Sequence, residues 1–128
     1  MPLYKVWGGH GDKLPVICIA GYYEEGKTLA DFGREMEQNR KDGYIGCKFK
    51  VGGLTPKEDA ERVRAARSAA GDDFVLLVDA NQGWSRAQAV EFTRHAQDLN
   101  IRWFEEPVHW QNDRLDMAAT RAQGGIPV

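Results

Sequence analysis

The sequence predicts an α/β fold of repeated strand–helix units. Short apolar runs alternate with capped helical stretches, and strand centres recur about every 28 residues. Each unit reads strand, loop, helix, short turn, which builds a parallel sheet with right-handed crossovers. Two architectures share that rhythm. One is an open doubly wound sheet; the other is a (β/α)₈ barrel, which takes about 250 residues. The 128 residues hold four units and the start of a fifth, about half a barrel, and periodicity alone does not choose.

The predicted strands are LPVICIAG (14–21), YIGCKFKVG (44–52), DFVLLVDAN (73–81) and IRWFEEP (101–107), with a fifth beginning at Ile126-Pro127-Val128. The first helix is predicted from Thr28 to Lys41. The second opens at Thr55-Pro56-Lys57-Glu58, a capping box with proline at the first helical position, and runs to Ala70. Gly71 then ends it, as glycine commonly does. The third opens at Ser85, with Gln88 completing another capping box, and runs to about Leu99. The fourth spans about Arg114 to Gln123 and stops at Gly124-Gly125.

Composition narrows the function classes. The formal net charge is -2, with no basic stripe of the kind that binds nucleic acid. No apolar run reaches the roughly 18 residues of a membrane span. The N-terminal stretch MPLYKVWGGHGDKLP lacks the features of a signal peptide, so a cytoplasmic protein is expected. Cys18 and Cys47 lie singly in apolar segments and read as reduced, buried thiols.

Both architectures bind ligands at the C-terminal ends of their strands. There the second strand carries Lys48 and Lys50, the third Asp79 and Asn81, and the fourth Glu105 and Glu106. Strand alternation puts Lys48 with Lys50 on one face, and Asp79 with Asn81. A sheet interior has no use for unpaired charge. Asp79 and Glu105, on neighbouring strands, are placed to hold a hard cation such as Mg²⁺. A lysine beside a cation and a second lysine has its ammonium disfavoured and can serve as a general base. Together these describe proton abstraction next to a carboxylate.

The stretches GCKFKVGG (46–53), VDANQGW (78–84) and WFEEPV (103–108), in this order and spacing, resemble the enolase superfamily, in its mandelate racemase and muconate-lactonizing group. The resemblance covers nearly the whole chain and selects the barrel: four βα units plus the start of strand five, the N-terminal half of a TIM-type (β/α)₈ barrel. Residues 1–13 then read as the tail of a capping domain and a lead-in, and 14–128 as a partial barrel. The resemblance implies Lys50 as the base that moves the proton alpha to the carboxylate. It implies Lys48 as the partner that tunes Lys50 and contacts the substrate carboxylate. Asp79 and Glu105 become two of three Mg²⁺ ligands, and Asn81 and Glu106 residues that orient the site, with Glu106 as a structural acceptor the alternative. In this family the first step gives an enolate stabilised by the metal. Racemases reprotonate it, dehydratases expel a hydroxyl, and cycloisomerases open or close a lactone.

EEPVHWQND (105–113) is similar to the branch rich in acid-sugar dehydratases, so a small acid-sugar substrate is expected; a homo-oligomeric parent is expected separately. The third carboxylate and the opposite acid/base fall beyond Val128 in this reading, so the chain alone is expected to be inactive. The alternatives are a racemase, epimerase or cycloisomerase parent, or a non-catalytic half-barrel that self-associates. Alternation brings one of Tyr22 and Tyr23 to the pocket without choosing between them; Tyr22 is carried as the candidate. His109 is a candidate at the pocket mouth, beside a packing Trp110. Arg62, Arg64 and Arg67 read as a solvated helix face.

Overall fold

The structure is a computed structural model that describes residues 1–128, the side chain of Asn112 excepted. After a short helix α1 (Leu3–Val6), strands and helices alternate: β1 (Ile17–Ala20), α2 (Leu29–Lys41), β2 (Gly46–Lys50), α3 (Pro56–Ala70), β3 (Val75–Asp79), α4 (Arg86–Ala96), β4 (Ile101–Glu105) and α5 (Asp113–Gly124). One 3₁₀ turn, Trp110–Asn112, precedes α5. The four strands form one parallel sheet in the order β1-β2-β3-β4. Consecutive parallel strands joined by helices are half of the predicted barrel.

The helices start where their caps dictate. Thr55 with Glu58 and Ser85 with Gln88 form the two expected capping boxes. Thr28 with Asp31 forms a third, in which aspartate takes the place of the usual Glu or Gln. The core lies between the sheet and the helices. Cys47, Phe49, Leu76, Val78 and Phe104 point from the strands into it and meet Phe32, Met36, Val63 and Phe92 from α2, α3 and α4. The opposite face of the sheet, the inside of a barrel, carries Ile19 at 52% exposure and Trp103 at 41%.

Three details differ from the expectation. The first strand is shorter than 14–21, because β1 is an edge strand and only Ile17–Ala20 find partners on β2. Ile126–Val128 makes no regular strand, yet the Phe104 N–H donates to the Pro127 carbonyl at 2.7 Å, so the chain returns beside β4. The largest correction concerns α3. Of the three arginines read as a solvated face, only Arg64 is at the surface, paired with Asp98. Arg62 is 4% exposed and Arg67 7%. Helix α3 is flanked by both α2 and α4, so side chains on its two shoulders are covered. Arginine tolerates this because its planar fork can satisfy several backbone carbonyls at once.

Candidate active site

Register assembles the site. Lys50 pairs with Asp79 across β2 and β3, and Asp79 with Glu105 across β3 and β4. The Lys50 ammonium donates to Asp79 Oδ2 at 2.8 Å and to Asn81 Oδ1 at 2.7 Å. Lys48 lies 3.1 Å from Asp79 Oδ2 and donates to Glu105 Oε1 at 2.9 Å. The Asn81 N–H donates to Asp79 Oδ1 at 2.9 Å, and the Trp103 indole donates to Glu105 Oε2 at 3.4 Å. Asp79 is thus 1% exposed yet fully partnered.

Burial works against the Asp79 charge, but Lys50, the Asn81 N–H and Lys48 outweigh it and hold the carboxyl below its ordinary range. The Lys48 ammonium is stabilised where it lies. Its bond to Glu105 prevails over desolvation, and with Asp79 it raises the pKa above the ordinary lysine value.

The turns after β3 and β4 are shaped by left-handed residues: Asn81 (φ 44°), Gln82 (φ 64°) and Glu106 (φ 42°). They let the two chain segments stay paired past the strands, with Ala80 N–H on the Glu105 carbonyl at 3.1 Å and Gln82 N–H on the Glu106 carbonyl at 2.9 Å. Glu106 therefore acts here through its backbone. Among the described residues its carboxylate has no hydrogen bond or ion pair. A cleft of about 350 Å³ lies over Lys50 and Asn81, walled by Tyr22, Tyr23, Gly53 and Gly83. Both tyrosines border it, but only Tyr23 turns its hydroxyl back into the protein, onto Asp59. His109 lies outside this cleft. Its Nδ1 accepts from the Gln111 N–H at 3.3 Å and its ring stacks at 5.4 Å on Trp110. A larger cavity of about 570 Å³ sits between the β1–α2 loop and α3 and touches none of the lysines or acids of the cluster.

Tyr23, Asp59 and Arg62 brace the loop after β2, a role that the sequence reading does not give them. The available signal was Gly52-Gly53 followed by an aspartate in the first turn of a helix, because tight-turn amides near a helix start need an acceptor.

Two carboxylates paired in register on adjacent strands suit Mg²⁺, which takes oxygen donors. Among the described residues no three acids, histidines or cysteines come together as a metal site. The residues present therefore fit part of a Mg²⁺ site.

A parallel βα half-barrel with lysines and acids meeting at its strand ends defines a class, the barrel enzymes whose site lies on the C-terminal face. The family profile described as Enolase C-terminal domain-like matches residues 31–128. The chain belongs to the enolase superfamily, in its mandelate racemase and muconate-lactonizing group. It is 38% identical over 122 residues to an arabinonate dehydratase of Saccharolobus solfataricus, a match that covers 95% of this chain and 32% of the relative. It is 39% identical over 108 residues to a D-Ala-D/L-Ala epimerase of Cytophaga hutchinsonii, covering 84% of this chain and 28% of that one. Among solved structures, a mandelate racemase/muconate lactonizing enzyme from a marine actinobacterium, in complex with magnesium, superposes with a TM-score of 0.87 at 53% identity. That match covers 100% of this chain and 35% of the other. The chain spans about a third of the length of the relatives it matches. Those relatives are enzymes: dehydratases, racemases and epimerases.

Proposed function

We propose that this chain carries the lysine-bearing part of a Mg²⁺-dependent active site that removes the proton alpha to a carboxylate, in an acid-sugar dehydratase. The observation that carries the reading is the single cluster of Lys48, Lys50, Asp79 and Glu105, brought together from three adjacent strands. Lys50, at the edge of the cleft, accepts the alpha proton as the neutral amine, after its ammonium proton has left to solvent. Asp79 and Asn81 aim its amine by their hydrogen bonds. Lys48, kept charged by Glu105 and Asp79, meets the substrate carboxylate. Asp79 and Glu105 would hold part of the Mg²⁺ coordination, and the ion would supply positive charge where negative charge builds on the substrate. Tyr22 borders the cleft and is assigned a substrate contact. His109, stacked on Trp110 outside this cleft, is assigned a place at the pocket mouth. Glu106 is assigned the backbone role of shaping the turn after β4.

The dehydratase reading rests on the stretch EEPVHWQND (105–113) and is supported by the arabinonate and talarate/galactarate dehydratases among the relatives, which also include epimerases, a racemase and cycloisomerases that support the alternatives. Residues 1–13 are assigned to a lead-in outside the barrel, which the lack of buried residues in α1 supports, and 14–128 to the barrel itself. Among the described residues no helix is long and apolar enough to cross a membrane, and a cytoplasmic, homo-oligomeric parent is proposed. These 128 residues contain two of the carboxylates and one of the acid/base groups, so the chain alone is assigned no turnover. A second reading rests on the open inner face with Ile19 and Trp103 and on the unpaired β1 edge, which favour self-association of an isolated half-barrel. Sedimentation velocity separates the readings, since a cooperative monomer at all concentrations would remove the second.

The test of the first is a barrel-length protein containing these residues, assayed on acid sugars with Mg²⁺ in D₂O. Dehydration and deuterium incorporation are expected, and both are expected to vanish in Lys50→Ala. Activity that survives that substitution would show the base is misassigned.

A further inference from the structure

Arg62 is a buried charge that the proposed chemistry does not use. It lies on α3 but reaches the strand ends, donating to the Gly21 carbonyl at 2.6 Å and to the Lys50 carbonyl at 3.1 Å. It pairs at 2.5 Å with Asp59, whose side chain is fully buried. Asp59 also accepts the Gly52 N–H at 2.8 Å, the Leu54 N–H at 3.3 Å and the Tyr23 hydroxyl at 2.8 Å. The Tyr23 oxygen in turn accepts the Gly53 N–H at 2.8 Å. The Val51 N–H goes to the Asp79 carbonyl at 3.0 Å. Every residue from 50 to 54 is therefore tied down through its backbone. Three rings, Tyr23 at 4.0 Å, Phe32 at 4.5 Å and Phe49 at 5.1 Å, enclose the guanidinium.

Stability alone does not account for this arrangement. A buried ion pair is often no more stabilising than apolar side chains of the same volume. What an apolar side chain cannot do is grip two strand-end carbonyls and one loop in a fixed register. The gripped strand residue is Lys50. A catalytic group must be held within about 0.5 Å of its productive position, and a misplacement of about 1 Å can cost a hundredfold in rate.

We propose that Arg62, braced by Asp59 and Tyr23, is a positioning residue that locks the end of β2 and so sets where the Lys50 amine lies. The proposal rests on Lys50 being the base. Lys48 provides an internal control, since it is two residues earlier on the same strand and its carbonyl is not held by Arg62.

The test in this chain is ¹⁵N NMR of the lysine ammonium groups in wild type, Arg62→Lys and Tyr23→Phe. Lysine in place of Arg62 has no fork to span both carbonyls. The Lys50 signal is expected to shift or broaden in Arg62→Lys more than that of Lys48, which shares Asp79 Oδ2 with it, while the amide spectrum stays in place, with a smaller change of the same kind in Tyr23→Phe. Should Arg62→Lys not fold, Tyr23→Phe alone decides. Unchanged Lys50 signals, or loss of both lysines together with the amide spectrum in both variants, would overturn the proposal. In the barrel-length enzyme, tested on an acid sugar that the wild type turns over, arabinonate first, Arg62→Lys is expected to lower kcat about ten- to a hundredfold with KM unchanged. An unchanged kcat overturns the positioning role. Retained deuterium exchange in Lys50→Ala instead overturns the assignment of the base, and the positioning role falls with it.

Discussion

Replacing Arg67 by methionine should be among the most damaging single changes at a position that looks solvent-facing in the sequence. Arg67 is 7% exposed and donates to four backbone carbonyls, those of Leu99 (2.9 Å), Gly71 (2.8 Å), Phe74 (2.7 Å) and Asn100 (3.1 Å). These join the C-terminal end of α3 to the segment before β3 and the turn before β4. Burial lowers its pKa from the ordinary arginine value, with Asp72 and Asp73 opposing, but arginine remains charged at any working pH. Methionine has the length to fill the space and no donor, so the carbonyls lose their partner. A buried acceptor left without its donor costs about 1–3 kcal/mol, so the loss of this set should total about 3–5 kcal/mol. That is a large part of the roughly 5–15 kcal/mol stability of a domain. With a urea slope of about 2 kcal/mol/M, the midpoint should fall by roughly 1.5–2.5 M. Arg64→Met is the control. Arg64 makes an exposed pair with Asp98, at 2.5 Å, and such pairs contribute under about 1 kcal/mol. Equilibrium urea unfolding of the three proteins decides. A midpoint for Arg67→Met no lower than that for Arg64→Met would refute the account of α3.

Other expectations follow from the same geometry. Asp79→Asn should weaken Mg²⁺ binding to this chain by at least about tenfold in a calorimetric titration, and equal binding would remove Asp79 as a ligand. Gly52→Ala should cost about 1–3 kcal/mol, because Gly52 has φ 94° and a Cβ there would lie 2.5 Å from the Ala80 carbonyl oxygen. Gly26→Ala, at φ 77° with open space around it, should cost less, and equal melting temperatures for the two variants would contradict this. Burial, and after it the Asp59 carboxylate, raise the Tyr23 phenol above its ordinary pKa of about 10. The stability this contributes is fully present below about pH 10 and is lost above it, because the unfolded chain releases its phenol proton first. Urea midpoints should therefore drop between about pH 10 and pH 11.5 more steeply for wild type than for Tyr23→Phe, and parallel slopes would count against the buried phenol.

Much of this protein was legible because its signals are local. Capping boxes at Thr55 and Ser85 mark helix starts, since a side chain three residues away completes them. Apolar runs ending in charged residues mark strands and their functional ends. The cluster was legible for the same reason: in a parallel sheet of consecutive strands, residues at equivalent strand ends become neighbours, as Lys50, Asp79 and Glu105 do. The third capping box was missed because Asp31 departs from the usual pattern. His109 was placed at a pocket mouth by its position after β4, but its stacking on Trp110 depends on the turn that follows.

The sequence by itself determined the βα rhythm, the half-barrel through its family motifs, and which ionisable groups meet, because those follow from periodicity and strand order. Tertiary structure decided what each group faces. It buried Arg62 and Arg67 beside an exposed Arg64, because helix shoulders are covered only by neighbours far away in the chain. It turned the Tyr23 hydroxyl inward to Asp59 although both tyrosines border the cleft, and it paired Lys48 with Glu105 and Asp79. Charge, pattern and spacing are properties of the chain; burial and hydrogen-bond partners exist only once distant segments pack together.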